Sequence, residues 1–313
     1  MALTSGNRRA LAGLSRVAEQ NAEADPRRFQ TMYESPAKGG FLEELTALYQ
    51  KHFGRFNPFN GDEAKKQAYW EPKGWARSLD EQLELLRVYL PKAWVDPEYL
   101  AQRQAEPVPA GFVRVAVPKL AYLESILRPA DLESEKPWDI YEHIGVAIEH
   151  VCGEHEQKSG ARFKNWRKNE LGSDRVRCHE QAAIRRRTAE ATVPGDVMIL
   201  DVDLSNRTLG GKDKICHTPR WSREEIGLTD HLMDLSAVDV GWILILNEDR
   251  LSKYEDPAID VTLEEYFWGG YGWVISLCWY FHDGQLRFGH GRGSYARGYF
   301  AAGVALRPGV SGN

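Results

Sequence analysis

Three Cys-His neighbourhoods invite a test for metal chemistry. Cys152 and His155 stand three residues apart, while Cys178-His179 and Cys216-His217 are adjacent pairs. Thiolate and imidazole together build tetrahedral zinc sites. Adjacent residues rarely reach one metal together, and a cysteine on a helical face is commonly inert core, so the spacing argues only weakly for zinc. Asp201, Asp203 and Ser205 in "DVDLSNRTLGGKD" have calcium-loop spacing. The glycine at the sixth position and the glutamate at the twelfth are missing, and a strand ending in a turn fits better. "GHGRGS" (289–294) has the glycine spacing of a phosphate loop. It lacks a Lys-Ser/Thr ending, and "YARGYFAAG" is a poor helix start, so free N–H groups to hold an anion are not expected. His143, His150, His179, His217 and His231 are scattered, and neither a G-x-S-x-G elbow nor H-E-x-x-H occurs. No enzymatic centre is read from these residues. The basic stretch Arg162–Arg187, with "IRRRT", could touch phosphates. Acidic residues are interleaved through it, and a solvated, salt-bridged helix face is the plainer reading.

The bulk composition sets the frame for these groups. The chain has 313 residues, 42% hydrophobic and 27% charged, with net charge −5. That suits a soluble globular protein with a core, in one large domain or two. An acidic chain gives no global pull toward nucleic acid or an anionic membrane. No run of eighteen apolar residues is present, so no membrane span is expected, and the N-terminus has no apolar region of the secretory type. Cytoplasmic or virion-associated placement fits best. Four Cys do not make a disulfide scaffold. No cofactor is expected.

Helices are expected first. A short one is read near Arg9–Gln20, and "FLEELTALYQKHF" (41–53) places Phe41, Leu45, Leu48, Tyr49 and Phe53 near one face. "NPFNGDE" (57–63) reads as a turn. "SLDEQLELLRVYLP" reads as a helix opened by a capping box, Ser78 with Glu81, and stopped by Pro91. Residues 96–111 read as a Pro-broken connection and "FVRVAV" (112–117) as a strand. "PWDIYEHIGVAIEHVCGEHEQ" (137–157) reads as a long helix with Ile140, Ile144, Ala147, Ile148 and Val151 on one stripe. "GDVMILDVDL" (195–204) is expected as a buried strand. Residues 222–235 are read as a segment opening with a second capping box, Ser222 with Glu225. "AVDVGWILILNEDRL" (237–251) reads as a core helix, with a strand as the alternative. After Tyr254 helical periodicity ends. "WVISLCWYF" (273–281) and "QLRF" (285–288) read as a hairpin around Asp283-Gly284, and "FAAGVAL" (300–306) as a strand that closes the sheet. The fold class is α+β. A mainly helical N-terminal region, 1–136, precedes a domain at 137–313 that ends in a small irregular antiparallel sheet.

The last stretch, 286–308, is rich in Gly, Arg and Tyr and contains no Lys, Glu, Gln, Met or Trp. Tyr, Ser, Gly, Arg and His are the residues of adaptable binding surfaces. Those five missing types are also the ones that an AAC or AAT codon cannot reach when its adenines are randomised.

"LNEDRLSKYEDPAID" (246–260) followed by "WYFHDGQLRFGHGRGSYARGYFAAGVALRP" (279–308) resembles the C-terminal half of variable proteins of diversity-generating retroelements. The match covers about the last seventy residues. The resemblance implies a C-type-lectin-like domain, related to the formylglycine-generating fold, with a variable region at about 270–308. It implies a scaffold of Trp279, Phe281, Gly284, Leu286, Phe288, Ala296, Ala302 and Gly303. The varied, ligand-facing set it implies comprises Trp273, Ser276, Tyr280, His282, His290, Arg292, Ser294, Tyr295, Arg297 and Tyr299. The Glu-Pro-Asn and Trp-Asn-Asp motifs of sugar-binding lectins are missing, so neither carbohydrate nor calcium binding follows. The function implied is non-enzymatic display of a binding surface to a protein or surface ligand, with the N-terminal region attached to a phage virion or a bacterial or archaeal cell envelope. Two alternatives stand beside it. One is an enzyme of the formylglycine-generating type, which needs a cysteine pair where the last ninety residues hold only Cys278. The other is a nucleic-acid binder using 162–187.

Overall fold

Residues 76–133, 137–204, 219–251, 258–268, 273–282, 285–291 and 300–308 are described in a computed structural model of the chain. The expected helices near Arg9–Gln20 and at 41–53, and the turn at 57–63, lie outside these residues. All described residues fall in the unit Asp62–Asn313. It is α+β, built from helices around two sheets.

Helix α1 (Leu79–Tyr89) opens as its sequence demands. The Ser78 hydroxyl accepts the Glu81 N–H and the Glu81 carboxylate accepts the Ser78 N–H, closing the capping box. Residues 96–111, expected as an irregular connection, contain helix α2 (Pro97–Ala105). Proline is at home in the first turn, where its missing N–H is not needed, and Asp96 accepts the Tyr99 N–H there. Strand β1 (Val113–Pro118) follows, then α3 (Leu120–Leu127).

Helix α4 (Ile144–Ser159) starts seven residues later than the pattern from Pro137 suggested. The Asp139 carboxylate accepts the Tyr141 N–H, and Glu124 accepts the Ile140 N–H. These side chains hold the segment in turns before the helix can begin. The expected stripe is nonetheless buried: Ile140, Ile144, Ala147, Ile148 and Val151. Short strands β2 (Phe163–Asn165) and β3 (Val176–Cys178) lead to α5 (Glu180–Ala191) and the fully buried β4 (Val197–Asp203). Helix α6 (Pro219–Gly227) contains Ser222 in its interior, buried and with its hydroxyl unpartnered, so this residue does not cap it. Strand β5 (Leu232–Asp234) and the core helix α7 (Ala237–Leu251) follow. The chain closes with β6 (Ala258–Asp260), β7 (Glu264–Trp268), β8 (Trp273–His282), β9 (Gln285–Gly291), β10 (Phe300–Ala302) and β11 (Val304–Leu306).

One antiparallel sheet has the order β1-β4-β11-β5. The other runs β10-β6-β8-β7-β3, with β9 on the second edge of β8 and β2 on β9. Two of its pairings, β10 with β6 and β2 with β9, are parallel. The segment "FAAGVAL" therefore does not close one sheet. It splits at Gly303, giving β10 to the second sheet and β11 to the first. Helix α7 packs on α4, on β1 of the first sheet and on β8 of the second. Because β1 pairs with β4 along its whole length, the boundary expected at 136/137 falls within a shared core that runs from Leu79 to Ala305.

Candidate ligand-binding face

The β8–β9 hairpin has two rows of side chains, because alternate residues of a strand face opposite ways. Trp279 pairs with Phe288, and both are fully buried. Their rings lie 4.8 Å apart, and Trp279 also meets His155 at 5.0 Å and Phe163 at 5.9 Å. The Trp279 indole N–H donates to the Ala237 carbonyl at 2.9 Å, which fixes the strand to the first turn of α7. Gly241 makes room for this ring: a Cβ there would lie 2.8 Å from Trp279 Cζ2 and 2.9 Å from each Val151 methyl. Burial drives the His155 pKa down to about 3, so the ring is neutral and its Nε2–H donates to the Gly241 carbonyl.

The other row is different in kind. Tyr280 pairs with Arg287, and Arg287 pairs in turn with Lys164 of the parallel strand β2. The next pair is Cys278 with Gly289, beside Trp166, whose N–H donates to the Phe288 carbonyl at 2.9 Å. Tyr280 and Arg287 are half-buried, while Lys164 and Trp166 are exposed, Trp166 at 43%. A Cβ on Gly289 would meet Tyr280 Cε1 at 3.5 Å and Trp166 Cβ and Cδ1 at 3.8 Å. Gly289 is itself buried, so the two rings close over the backbone at this point. The Lys164 ammonium sits 3.5 Å from the Trp166 ring centre, a cation–π contact. Burial raises the Tyr280 phenol above its usual range, with the nearby Cys278 adding and Arg287, which also donates a hydrogen bond to the phenol oxygen, opposing.

The residues expected to face ligand divide between these rows. Tyr280 lies in the exposed row, in register with Arg287; Ser276 pairs with Gly291 and His282 with Gln285 at positions of the same row. His290 pairs with Leu277, at a position in the row of Trp279 and Phe288. Trp273 pairs with Trp268 of β7. Arg292, Ser294, Tyr295, Arg297 and Tyr299 lie outside the described residues. Among the scaffold residues, Trp279, Leu286, Phe288 and Gly303 are buried, Phe281 pairs with Leu286 and Ala302 with Asp260. Gly284 and Ala296 are outside the described residues. Lys164, Trp166 and Arg287 were not anticipated. Their row exists only because β2, more than a hundred residues earlier, pairs with β9, and no local pattern announces such a pairing.

The other candidate chemistry resolves into structure. Among the described residues no three His, Cys, Asp or Glu side chains form a metal cluster. Cys152 is buried within α4, and Cys178 is in β3. Asp201 is a strand residue tied to Arg114 at 2.7 Å and Arg103 at 2.7 Å. Residues 289–291 continue β9 and pair with β8, so no strand-to-helix phosphate loop begins there. The "IRRRT" arginines are each matched by carboxylate: Arg185 to Asp234, Arg186 to Glu190 and Asp239, and Arg187 to Asp139. Arg186 is fully buried, which corrects the expected solvated, salt-bridged face at that residue, while Arg187 is exposed and paired as expected.

Buried acids also shape the start of α7. The Ser236 hydroxyl accepts the Val238 N–H, Asp239 accepts the Ser236 N–H, and Glu264 Oε2 accepts the Ala237 N–H at 3.0 Å. Free N–H groups of a first helical turn are thus satisfied by side chains at the residue that also anchors Trp279. No helix among the described residues is long and apolar enough to cross a membrane. No protein-family model, curated protein or solved structure matches the chain.

Proposed function

We propose that this is a non-enzymatic binding protein that presents a diversified surface from a lectin-like C-terminal frame, in the manner of retroelement variable proteins. One observation carries the reading: across the terminal hairpin and the β2 segment paired to it, a locked aromatic row alternates with a row that holds half-buried Tyr280 and Arg287 and exposed Lys164 and Trp166 around the buried Cys278–Gly289 pair. The locked row keeps the backbone fixed. Tyr280 and Arg287 in the other row, and Lys164 and Trp166 beside them, can change without touching the Trp279–Phe288 pair. A pre-formed surface of this sort loses little ordering entropy on contact, and Tyr and Arg supply its anchors. The varied positions are those at 292–299 together with Ser276, Tyr280 and His282. The N-terminal region attaches the display unit to a larger structure, a virion or a cell envelope. The matched arginines of 185–187 speak against a nucleic-acid surface there.

The test is joint substitution. Replacing Arg292, Tyr295, Arg297 and Tyr299 together by Ser should leave the melting temperature within about 2 °C, because exposed side chains contribute little stability. A loss of more than about 10 °C would place those residues in the core and end the proposal. Nucleotide sequences of sibling loci provide a second readout. Substitutions should fall at adenine-derived codon positions within about 270–300; uniform drift along the gene would contradict diversification.

A further inference from the structure

We infer that Glu264 is a proton-operated latch, whose ionisation loosens the start of α7 and, through Ala237, the anchor of the β8–β9 hairpin. The latch belongs to the frame and stands whether or not the outer row is varied.

The second sheet holds Ala237 by both of its polar groups. Its N–H donates to Glu264 Oε2 of β7 at 3.0 Å, and its carbonyl accepts the Trp279 indole N–H of β8 at 2.9 Å. Along the same seam the Thr262 and Leu263 N–H groups share the Leu235 carbonyl, at 3.3 and 3.2 Å. Segments 235–237 and 262–264 thus meet through a short row of bonds. Parting them removes the Glu264 hold on Ala237 and leaves Trp279 anchored to a helix start that is no longer fixed.

Charge makes this seam sensitive to protons. Glu264 is fully buried, Asp239 lies beside it, and Glu190 lies beyond Asp239, both also buried. The guanidinium among them, Arg186, is taken by the other two acids, at 2.9 Å from Glu190 and 2.8 Å from Asp239. Cations on the neighbouring elements are matched as well. Arg185 holds Asp234 at the end of β5, and Arg223 of α6 bonds Glu265 and the backbone carbonyls of Thr262 and Glu264. No cation among the described residues pairs with the Glu264 carboxylate. Only neutral donors serve it, the Ser236 hydroxyl and the Ala237 and Glu264 N–H groups, and burial holds its carboxyl at about 7. Once ionised, it sets a second unscreened negative charge beside Asp239, and water entering the seam relieves both the desolvation and the repulsion. The neighbouring groups titrate elsewhere. The Cys178 thiol, opposite Glu264 in the β3–β7 register, is pushed up by burial, and His179 is pushed below its usual range by burial and by Arg223. Burial raises Asp239 too, with Arg186 opposing.

The experiment is amide hydrogen exchange of the full chain at about pH 6 and about pH 8, corrected for the chemical exchange rate, over a series of urea concentrations below the unfolding transition. Protection in 236–241 and in β8 should fall by about tenfold between the two, the linkage expected for a carboxyl that moves from about 7 in the closed seam to 4.5 in the open one. At the higher pH these amides should exchange through an opening smaller than global unfolding, with lower protection and a shallower urea dependence than those of β4. Glu264→Gln should abolish the pH effect in both places. Trp279→Phe, which keeps a ring and removes the N–H donor, should leave the effect at 236–241 and remove most of it from β8. Protection independent of pH, a pH effect that survives Glu264→Gln, or protection and urea dependence equal to those of β4 would each overturn the latch. A pH effect in β8 unchanged by Trp279→Phe would overturn Ala237 as the link to the hairpin. The unaltered chain decides the first and third of these outcomes even where a variant fails to fold.

Discussion

Replacing Glu264 by Gln should remove a pH slope from the stability of the folded unit. Glu264 is fully buried; its Oε2 accepts the Ala237 N–H and its Oε1 has no partner among the described residues. Burial pushes the carboxyl from 4.5 up to about 7, against the opposing pull of Ser236 and the Ala237 N–H. The unfolded chain returns it to its ordinary value, so the folded state binds the proton more tightly. The stabilisation is then complete below pH 4.5 and is lost as the pH climbs through about 7, the effect levelling off about a unit higher. At about 1.4 kcal/mol per pH unit, the gap between those values corresponds to roughly 3 kcal/mol, most of it falling between pH 5 and pH 8. Gln keeps an oxygen for the Ala237 N–H and cannot ionise. Urea unfolding of both proteins at a series of pH values isolates the effect. The stability of the variant relative to the unaltered chain should rise by about 2.5 kcal/mol from pH 5 to pH 8. Other groups cancel in this comparison. Asp201, for example, would be raised by burial but is brought below the ordinary range by its bonds to Arg114 and Arg103, and it loses stability only as the pH falls. Parallel curves for the two proteins would refute the account and show that Glu264 is solvated or compensated in the folded state.

Two further outcomes concern the locked row. Trp279→Ala should cost about 3–5 kcal/mol in urea unfolding, because a buried ring and its anchor to Ala237 are both lost, and Phe at the same position should cost less. A cost below about 1 kcal/mol would mean that the hairpin is not held by this ring. Gly241→Ala should destabilise by about 1–3 kcal/mol through overpacking against Trp279 and Val151. Val151→Ala in the same chain should recover part of that loss, a coupling that a double-mutant cycle measures directly.

Elements with a complete local grammar could be read in the sequence. Ser78 and Glu81 opened α1, the Val/Ile/Leu run gave β4, and Asp283-Gly284 separates β8 from β9, whose register closes at His282 and Gln285. Where reading failed, a side chain from elsewhere in the chain or a position rule intervened. Glu124 holds the Ile140 N–H and helps delay α4, Pro97 suits a first turn that the eye takes for a break, and helix α6 begins ahead of the Ser222 read as its cap. The division of "FAAGVAL" depends on which sheet edge is free at each step, a property of the assembled fold. The site was legible by half for the same reason. Alternation along β8 marks Trp279 as inward and Tyr280 as outward. The partners that complete the outer row, Lys164 and Trp166, arrive through a long-range parallel pairing.

Register is therefore the quantity on which binding depends. A slip of β9 by one residue would exchange the two rows, burying Arg287 without a partner and exposing Phe288. Edge pairings of β-strands slip easily when both faces are similar, and here the faces could hardly be less alike. The ring of Trp279 is fixed through its N–H to Ala237, Phe163 and Leu286 meet in register on the buried side, and the Trp166 N–H reaches the Phe288 carbonyl. Those contacts all lie on the buried side or in the backbone. Side chains in the outer row contribute little to holding it in place, which is the physical condition for changing them without refolding the protein.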